Sequence, residues 1–190
     1  MSNACQPPRI WAHRGKQAQA FVASRESEVK MRYFLDAEFN GFGGQLISLA
    51  LVPEDQEASP FYEALRYHVP EAWVAAHVLP VLKTQPISRP EMIEKLAAYL
   101  GRDSEPVVIA DWPEDIAHLT PLMVTGPGWR MPLPRLRFKL LDLPFFDSET
   151  LSDVPHNACH DAMALRAYVL DEEQQRTALQ GLLEEKIGDR

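Results

Sequence analysis

Residues 32–39 read RYFLDAEF, a short apolar stretch interrupted by two acids, Asp36 and Glu38. Their spacing decides how they act. In a strand, side chains two apart project from one face, so the two carboxylates point together. On a helix the same spacing would splay them by about 200°. The segment that follows favours the strand. GFGG (41–44) is a turn whose glycines reach positive φ freely, and QLISLALV (45–52), closed by Pro53, is a second strand. A connection this short makes an antiparallel hairpin and leaves no room for a crossover helix. Two carboxylates on one strand face either decorate a solvent-facing surface or share a cation. Their mutual repulsion favours the cation, and an oxygen-rich site suits Mg²⁺ or Mn²⁺.

Further along the chain the period changes. PFYEALRY (60–67) alternates loosely and is expected to be a third antiparallel strand, with a helical turn as the competing reading. PEAWVAAHVLPVL (70–82) puts Trp73, Ala76, His77 and Val81 on one helical face, opened by Pro70 and interrupted by Pro80. SRPEMIEKLAAYLG (88–101) is the clearest helix, with Ser88 as cap, Pro90 in the first turn, Glu91 three past the cap and Gly101 at the end. PVVIAD (106–111) has the continuous apolar run of a buried parallel strand. PEDIAHLTPLM (113–123) reads as a helix, PRLRFKLLDL (134–143) as a strand with one wet face, and residues 158–186 as a long terminal helix. The order predicts an α/β fold: a mixed sheet, antiparallel over its first three strands and parallel thereafter, flanked by helices. Residues 1–30 show no sustained period and are expected to be a flexible leader, or the product of a start site placed too early, ahead of one domain over 31–190.

The chain has 190 residues, 46% of them hydrophobic and 24% charged, which fits one soluble globular domain. No apolar run approaches the ~18 residues that a membrane-spanning helix needs, and the N-terminus lacks the layout of a secretory signal. Two cysteines, Cys5 and Cys159, make neither a disulfide framework nor a CxxC metal pair, so a reducing cytoplasm is the default. A net charge of −8 argues against broad, salt-driven adhesion to nucleic acid. It leaves room for an enzyme that grips a few nucleotides through bound cations.

Two more segments carry acids. In VVIADWPEDIAHL, Asp111 ends a buried strand and Asp115 opens a helix, where ligand crevices of α/β sheets lie. Acids also favour helix N-termini for the macrodipole alone, so this segment by itself decides nothing. In PHNACHDAMAL, His156 precedes Asp161 by five residues, and a histidine held beside a carboxylate cluster is placed to act as a general base. His156 and His160 have the spacing of a zinc-binding helix pair, but Asn157 stands where the zinc-protease signature needs Glu.

Taken together, LDAEF, then ADWPEDIAHL, then HNACHDA give D-x-E, a strand-end acid with Asp115 four residues on and Leu119 beyond, and H-x-A-x-x-D-A. In this order and spacing the chain resembles the DEDDh 3′–5′ exonucleases of the RNase H-like fold, the RNase T and oligoribonuclease group. It looks closest to the small bacterial 3′–5′ exoribonuclease family, over about residues 31–170. The resemblance implies that Asp36, Glu38, Asp115 and Asp161 bind two Mg²⁺ or Mn²⁺ ions, and that His156 is the base. Many relatives have Asn at the position of Asp111. That residue either supports a neighbouring metal-binding acid or takes the metal in place of Asp115, and Asp115 is preferred for its spacing to Leu119.

The implied partner is RNA, single-stranded or with a 3′ overhang, and possible single-stranded DNA, without a membrane. Such ends are held by aromatic stacking and by cations at the phosphates. Phe39 and Phe42 are candidates to flank the terminal base, with Leu46 or Ile47 as a wedge, core being the preferred duty of Ile47, and Arg135, Arg137 and Lys139, on one strand face, as phosphate contacts. A solvated edge strand would look the same as that basic face. Competing readings are a DNA-directed exonuclease of the same fold and a catalytically inactive nucleic-acid-binding domain. Many relatives are homodimers, and the terminal helix is a candidate dimer element.

Overall fold

A computed structural model of the chain describes residues 31–133 and 135–188; the expected leader, 1–30, lies outside them. The strands are β1 (Arg32–Phe39), β2 (Leu46–Pro53), β3 (Phe61–Leu65), β4 (Pro86–Ile87), β5 (Val107–Ala110), β6 (Val124–Gly126), β7 (Trp129–Arg130) and β8 (Arg137–Leu140). The helices are α1 (Ala72–His77), α2 (Arg89–Leu100), α3 (Pro113–Leu119), α4 (Ser148–Leu151) and α5 (Ala158–Gly188). Six strands form one sheet in the order β4-β3-β2-β1-β5-β8, and β6 pairs with β7 apart from it. β1, β2 and β3 pair antiparallel, while β5 joins β1 and β8 joins β5 in parallel. This is the mixed sheet read from the sequence, and its layout is consistent with the RNase H-like arrangement.

The alternation of β1 organises the core. Tyr33, Leu35 and Ala37 face a cluster that includes Met92, Leu96 and Leu100 of α2 and Leu119 of α3. Phe34 faces the other way, into Ala50, Val52 and Ile109 and the buried stripe Ala158, Ala162, Leu165 and Val169 of α5. The period of two then puts Asp36 and Glu38 on the Phe34 side, beneath the start of α5. Leu165 and Val169 contribute roughly 1.5–3 kcal/mol each by leaving water. Arg32 adds a fork, with contacts of 2.6 and 2.7 Å to Glu54 and 2.7 and 2.9 Å to Glu173. Solvent-accessible pairs of this kind are worth about 0–1 kcal/mol, so the apolar stripe decides where α5 docks and the fork adds a tie at its middle.

Several local expectations need correction. The helix read over 70–82 ends at His77 and gives way to a 3₁₀ turn at Leu79–Val81, because Pro80 has no amide to continue the ladder. Its buried face is Val74 and Val78, continued by Leu82 and packed with Ile47 and Ala64, while Trp73, Ala76 and His77 face outward. β8 has no dry face; all four residues, Phe138 and Leu140 included, are exposed at the sheet edge. The β6–β7 ribbon, the two-residue β4 and α4 are additions to the sequence reading. α2 begins as expected, the Ser88 hydroxyl accepting the Glu91 amide at 3.4 Å.

Candidate functional site

Where β1 outruns its parallel neighbour, the acids gather. Registered pairing of β1 with β5 ends at Phe34–Ile109, so the Ala37 amide has no strand carbonyl and hydrogen-bonds the Asp115 carboxylate instead. A register shift between Glu38 and Phe39 bends the strand at the same place. Asp161 reaches in from the first turn of α5. One carboxylate oxygen from each of Asp36, Glu38 and Asp161 lies within 4.8 Å of the others. Asp115 stands beside this triad, 2% exposed, on α3. Asp111 is half-buried at the end of β5.

The electrostatics are those of anions lacking a counter-charge. Burial, then the like charges of Asp115, Glu38, Asp161 and Asp111, hold the Asp36 carboxyl well above its ordinary range. Burial and then Asp161 push Glu38 up to about 8. Burial, followed by Asp111 and Glu38, pushes Asp115 up to about 8 against the Ala37 hydrogen bond. Asp161 is also raised by burial, despite hydrogen bonds from Ser152 and the His156 amide. Among the described residues, Asp115 Oδ2 and Asp161 Oδ1 are buried with no hydrogen-bond partner. An unsatisfied buried polar group costs about 1–3 kcal/mol, more when charged. A divalent cation with oxygen ligands answers both the repulsion and the orphaned oxygens, so this donor set fits Mg²⁺ or Mn²⁺.

His156 is set against the cluster by its backbone. Its φ is +65°, uncommon for a residue with a Cβ, and its amide donates to Asp161 Oδ2 at 3.0 Å. The next residue, Asn157, caps α5: its Oδ1 accepts from the Cys159 and His160 amides at 3.1 and 3.3 Å. The Asn157 Nδ2 donates to the Val81 carbonyl at 2.6 Å, tying the His156 loop to the segment after α1. The His156 ring meets Trp73 edge-on at 4.9 Å, and Trp73 stacks on His77 at 4.6 Å.

A cleft of about 440 Å³ opens from Glu38, walled by Phe39, Phe42, Trp73 and Trp112. Phe39 stacks on His118 at 4.7 Å. Phe42 is 99% exposed at the tip of the β1–β2 turn, and Trp73 and Trp112 are 52% and 56% exposed. Phe39 and Phe42 both line this cleft. Leu46 does not: it is 4% exposed within the core, because β2 is buried on both faces, and Ile47 is buried with it. Arg135 and Arg137 also lie apart. They pair with Glu105 at 3.4 and 3.3 Å, at the end of the sheet where β5 begins, while the acids lie where β1 and β5 finish. Trp73 and Trp112 are assigned no site role from the sequence, which groups Trp73 with Ala76 and His77 on one helical face without saying whether that face is core or solvent. The four-residue spacing of Val74, Val78 and Leu82 is the signal that reveals its outward face. Trp112 follows directly on a strand-end acid, a position that faces the crevice in such sheets.

No family model matches the chain, and no curated protein matches it.

Proposed function

We propose that the chain is a metal-dependent 3′–5′ exonuclease of the DEDDh type that trims single-stranded or 3′-overhanging RNA. The observation that carries the reading is the gathering of Asp36, Glu38 and Asp161, with Asp115 and its orphaned oxygen alongside, next to His156. In this reading Asp36, Glu38, Asp115 and Asp161 hold two Mg²⁺ or Mn²⁺ ions. Such ions, when bound, supply activation of a water and stabilisation of the leaving 3′ oxygen. His156 takes the proton from the attacking water at an imidazole nitrogen, and its Trp73 contact and the Asp161 hydrogen bond hold the loop that presents it. The exposed rings of Phe42, Trp73 and Trp112 offer stacking surfaces for the terminal bases, an interaction worth about 1–3 kcal/mol per base and indifferent to sequence. A net charge of −8 agrees with phosphates being neutralised by bound cations more than by a basic track.

Two further parts of the reading rest on separate observations. Leu179, Leu182 and Leu183 lie exposed on one face of α5, which supports a homodimer; sedimentation of the full chain as a monomer at micromolar concentration would remove that element. No helix of the described residues is long and apolar enough to cross a membrane, and Cys159 is buried and free, which suits a reducing cytoplasm.

The test is incubation of 3′-labelled and 5′-labelled overhang RNA and matched DNA with Mg²⁺ or Mn²⁺, with and without EDTA. A metal-dependent ladder growing from the 3′ end of RNA supports the proposal. Preference for the DNA strand selects a DNA-directed exonuclease, and intact strands in every lane select an inactive binding domain.

A further inference from the structure

The most exposed aromatic ring of the cleft sits on a glycine turn, yet that turn is pinned from both sides. Gly41 and Gly43 both have positive φ, and Phe42 between them makes the tip. Within the turn, Asn40 N–H donates to Gln45 O at 2.8 Å and Gly44 N–H to Gly41 O at 2.9 Å. On one side Asn40 grips the segment that leads into α1: its Oδ1 accepts the Glu71 amide at 2.7 Å and its Nδ2 donates to Val69 O at 3.0 Å. On the other side Glu114 of α3 accepts the Gly43 amide on Oε1 at 2.8 Å, with His118 Nε2 3.8 Å from the same oxygen.

These three segments are the ones that carry the aromatic walls: Phe42 on the turn, Trp73 just after Glu71, and Trp112 just before Glu114. We propose that Asn40 and Glu114 are positioning residues that fix the spacing of these walls, so that the cleft selects an unpaired terminal nucleotide. The inference rests on the exonuclease reading given above. An anchored wall requires little ordering when a base arrives. A loose glycine turn would have to be ordered by the substrate itself, and that cost falls on binding rather than on chemistry. The cleft volume is at the small end of the range for small-ligand sites, roughly 300–1,000 Å³, which suits one or two nucleosides.

The test compares two substrates on the full chain: a single-stranded oligoribonucleotide and methyl p-nitrophenyl phosphate, a diester with no nucleobase whose single ring is its leaving group. Glu114→Ala, which loses one anchoring hydrogen bond, should raise KM for the oligonucleotide about tenfold, and Asn40→Ala, which loses two, by about tenfold or more, with kcat and ester hydrolysis within about threefold of wild type. Glu114→Gln keeps an oxygen for the Gly43 amide and should bring KM back to within about twofold, since the proposed duty is acceptance and not charge. An unchanged KM in the alanine variants overturns the inference, as does failure of Gln to rescue. Parallel loss on both substrates would mean a general structural role and would overturn it too. Wild-type protein inactive on both substrates overturns the exonuclease reading itself, a result distinct from active wild type with unshifted variants.

Discussion

Raising the pH of the metal-free protein from about 5 to about 8 should weaken the fold, and Mn²⁺ should restore it most strongly at the upper end. In this window the folded protein holds protons on carboxyls that the unfolded chain has already released. Glu38 moves from an ordinary 4.5 to about 8 and Asp115 from 3.8 to about 8. The folded state therefore binds more protons, and each step up in pH favours unfolding; below the ordinary carboxylate range both states are protonated and the penalty disappears. At about 1.4 kcal/mol per pH unit, an isolated Glu38 would lose about 3–4 kcal/mol across the interval. The group is half-buried and its charge is shared with its neighbours, so a discounted loss of about 1–3 kcal/mol for the cluster is the working figure. His118, held below its ordinary value by burial, gains slightly in the opposite direction near neutrality. For a domain of this size the loss corresponds to roughly 3–10 °C in Tm. The measurement is a series of thermal melts across that pH range, with EDTA and with Mn²⁺, on wild type and Asp161→Asn. The variant removes one charge from the cluster and should flatten the metal-free slope. A metal-free Tm that stays level or climbs toward pH 8, or a Tm indifferent to Mn²⁺, would refute the picture of an anionic cage awaiting cations.

Asp115→Asn should nearly abolish metal-dependent hydrolysis while Asp111→Asn loses only a modest part; steady-state rates in the reverse order would exchange the roles of the two acids. His156→Ala should slow turnover by about 10²–10⁴-fold, the usual worth of a general base, with Mn²⁺-induced stabilisation intact; loss of that stabilisation would show the residue serving the metal site instead. Trp73→Ala and Trp112→Ala should each raise KM for single-stranded RNA by about 5–100-fold with smaller effects on kcat, read from initial rates; unchanged KM in both would remove stacking from the cleft.

How much was legible in advance follows from the range of each signal. Asp36 and Glu38 could be placed because a strand's period of two is local and strict, and because the adjacent apolar residues assign each face. The parallel strand at 107–110 and the helix at 89–100 were equally local, one an uninterrupted apolar run and the other framed by a cap and a glycine. The exposure of Trp73 depended on which face α1 presents to Ile47 and Ala64, residues of strands packed beneath it. Proline positions in 70–82 gave the breaks but not the face. Leu46 was misjudged for a similar reason, since a strand covered on both sides cannot be told from a half-exposed one by hydropathy over so short a run. The basic alternation of Arg135 and Arg137 was read correctly as a pattern and wrongly as a location, because only the register with β5 says which end of the sheet they occupy. Convergence of Asp115 and Asp161 on β1 is a tertiary fact; spacing along the chain could suggest it only through resemblance.

β1 continues past the last residue that β5 can pair with, which leaves a step in the floor of the sheet. A longer β5 would supply Ala37 with a carbonyl and level that step, and Asp115 would then have no amide to reach for. The chemistry proposed here thus depends on an interruption of regular structure: the protein forgoes a rung or two of backbone ladder to keep a notch where side chains from three elements can meet. Insertions that smooth the sheet should be harmful even if they strengthen it.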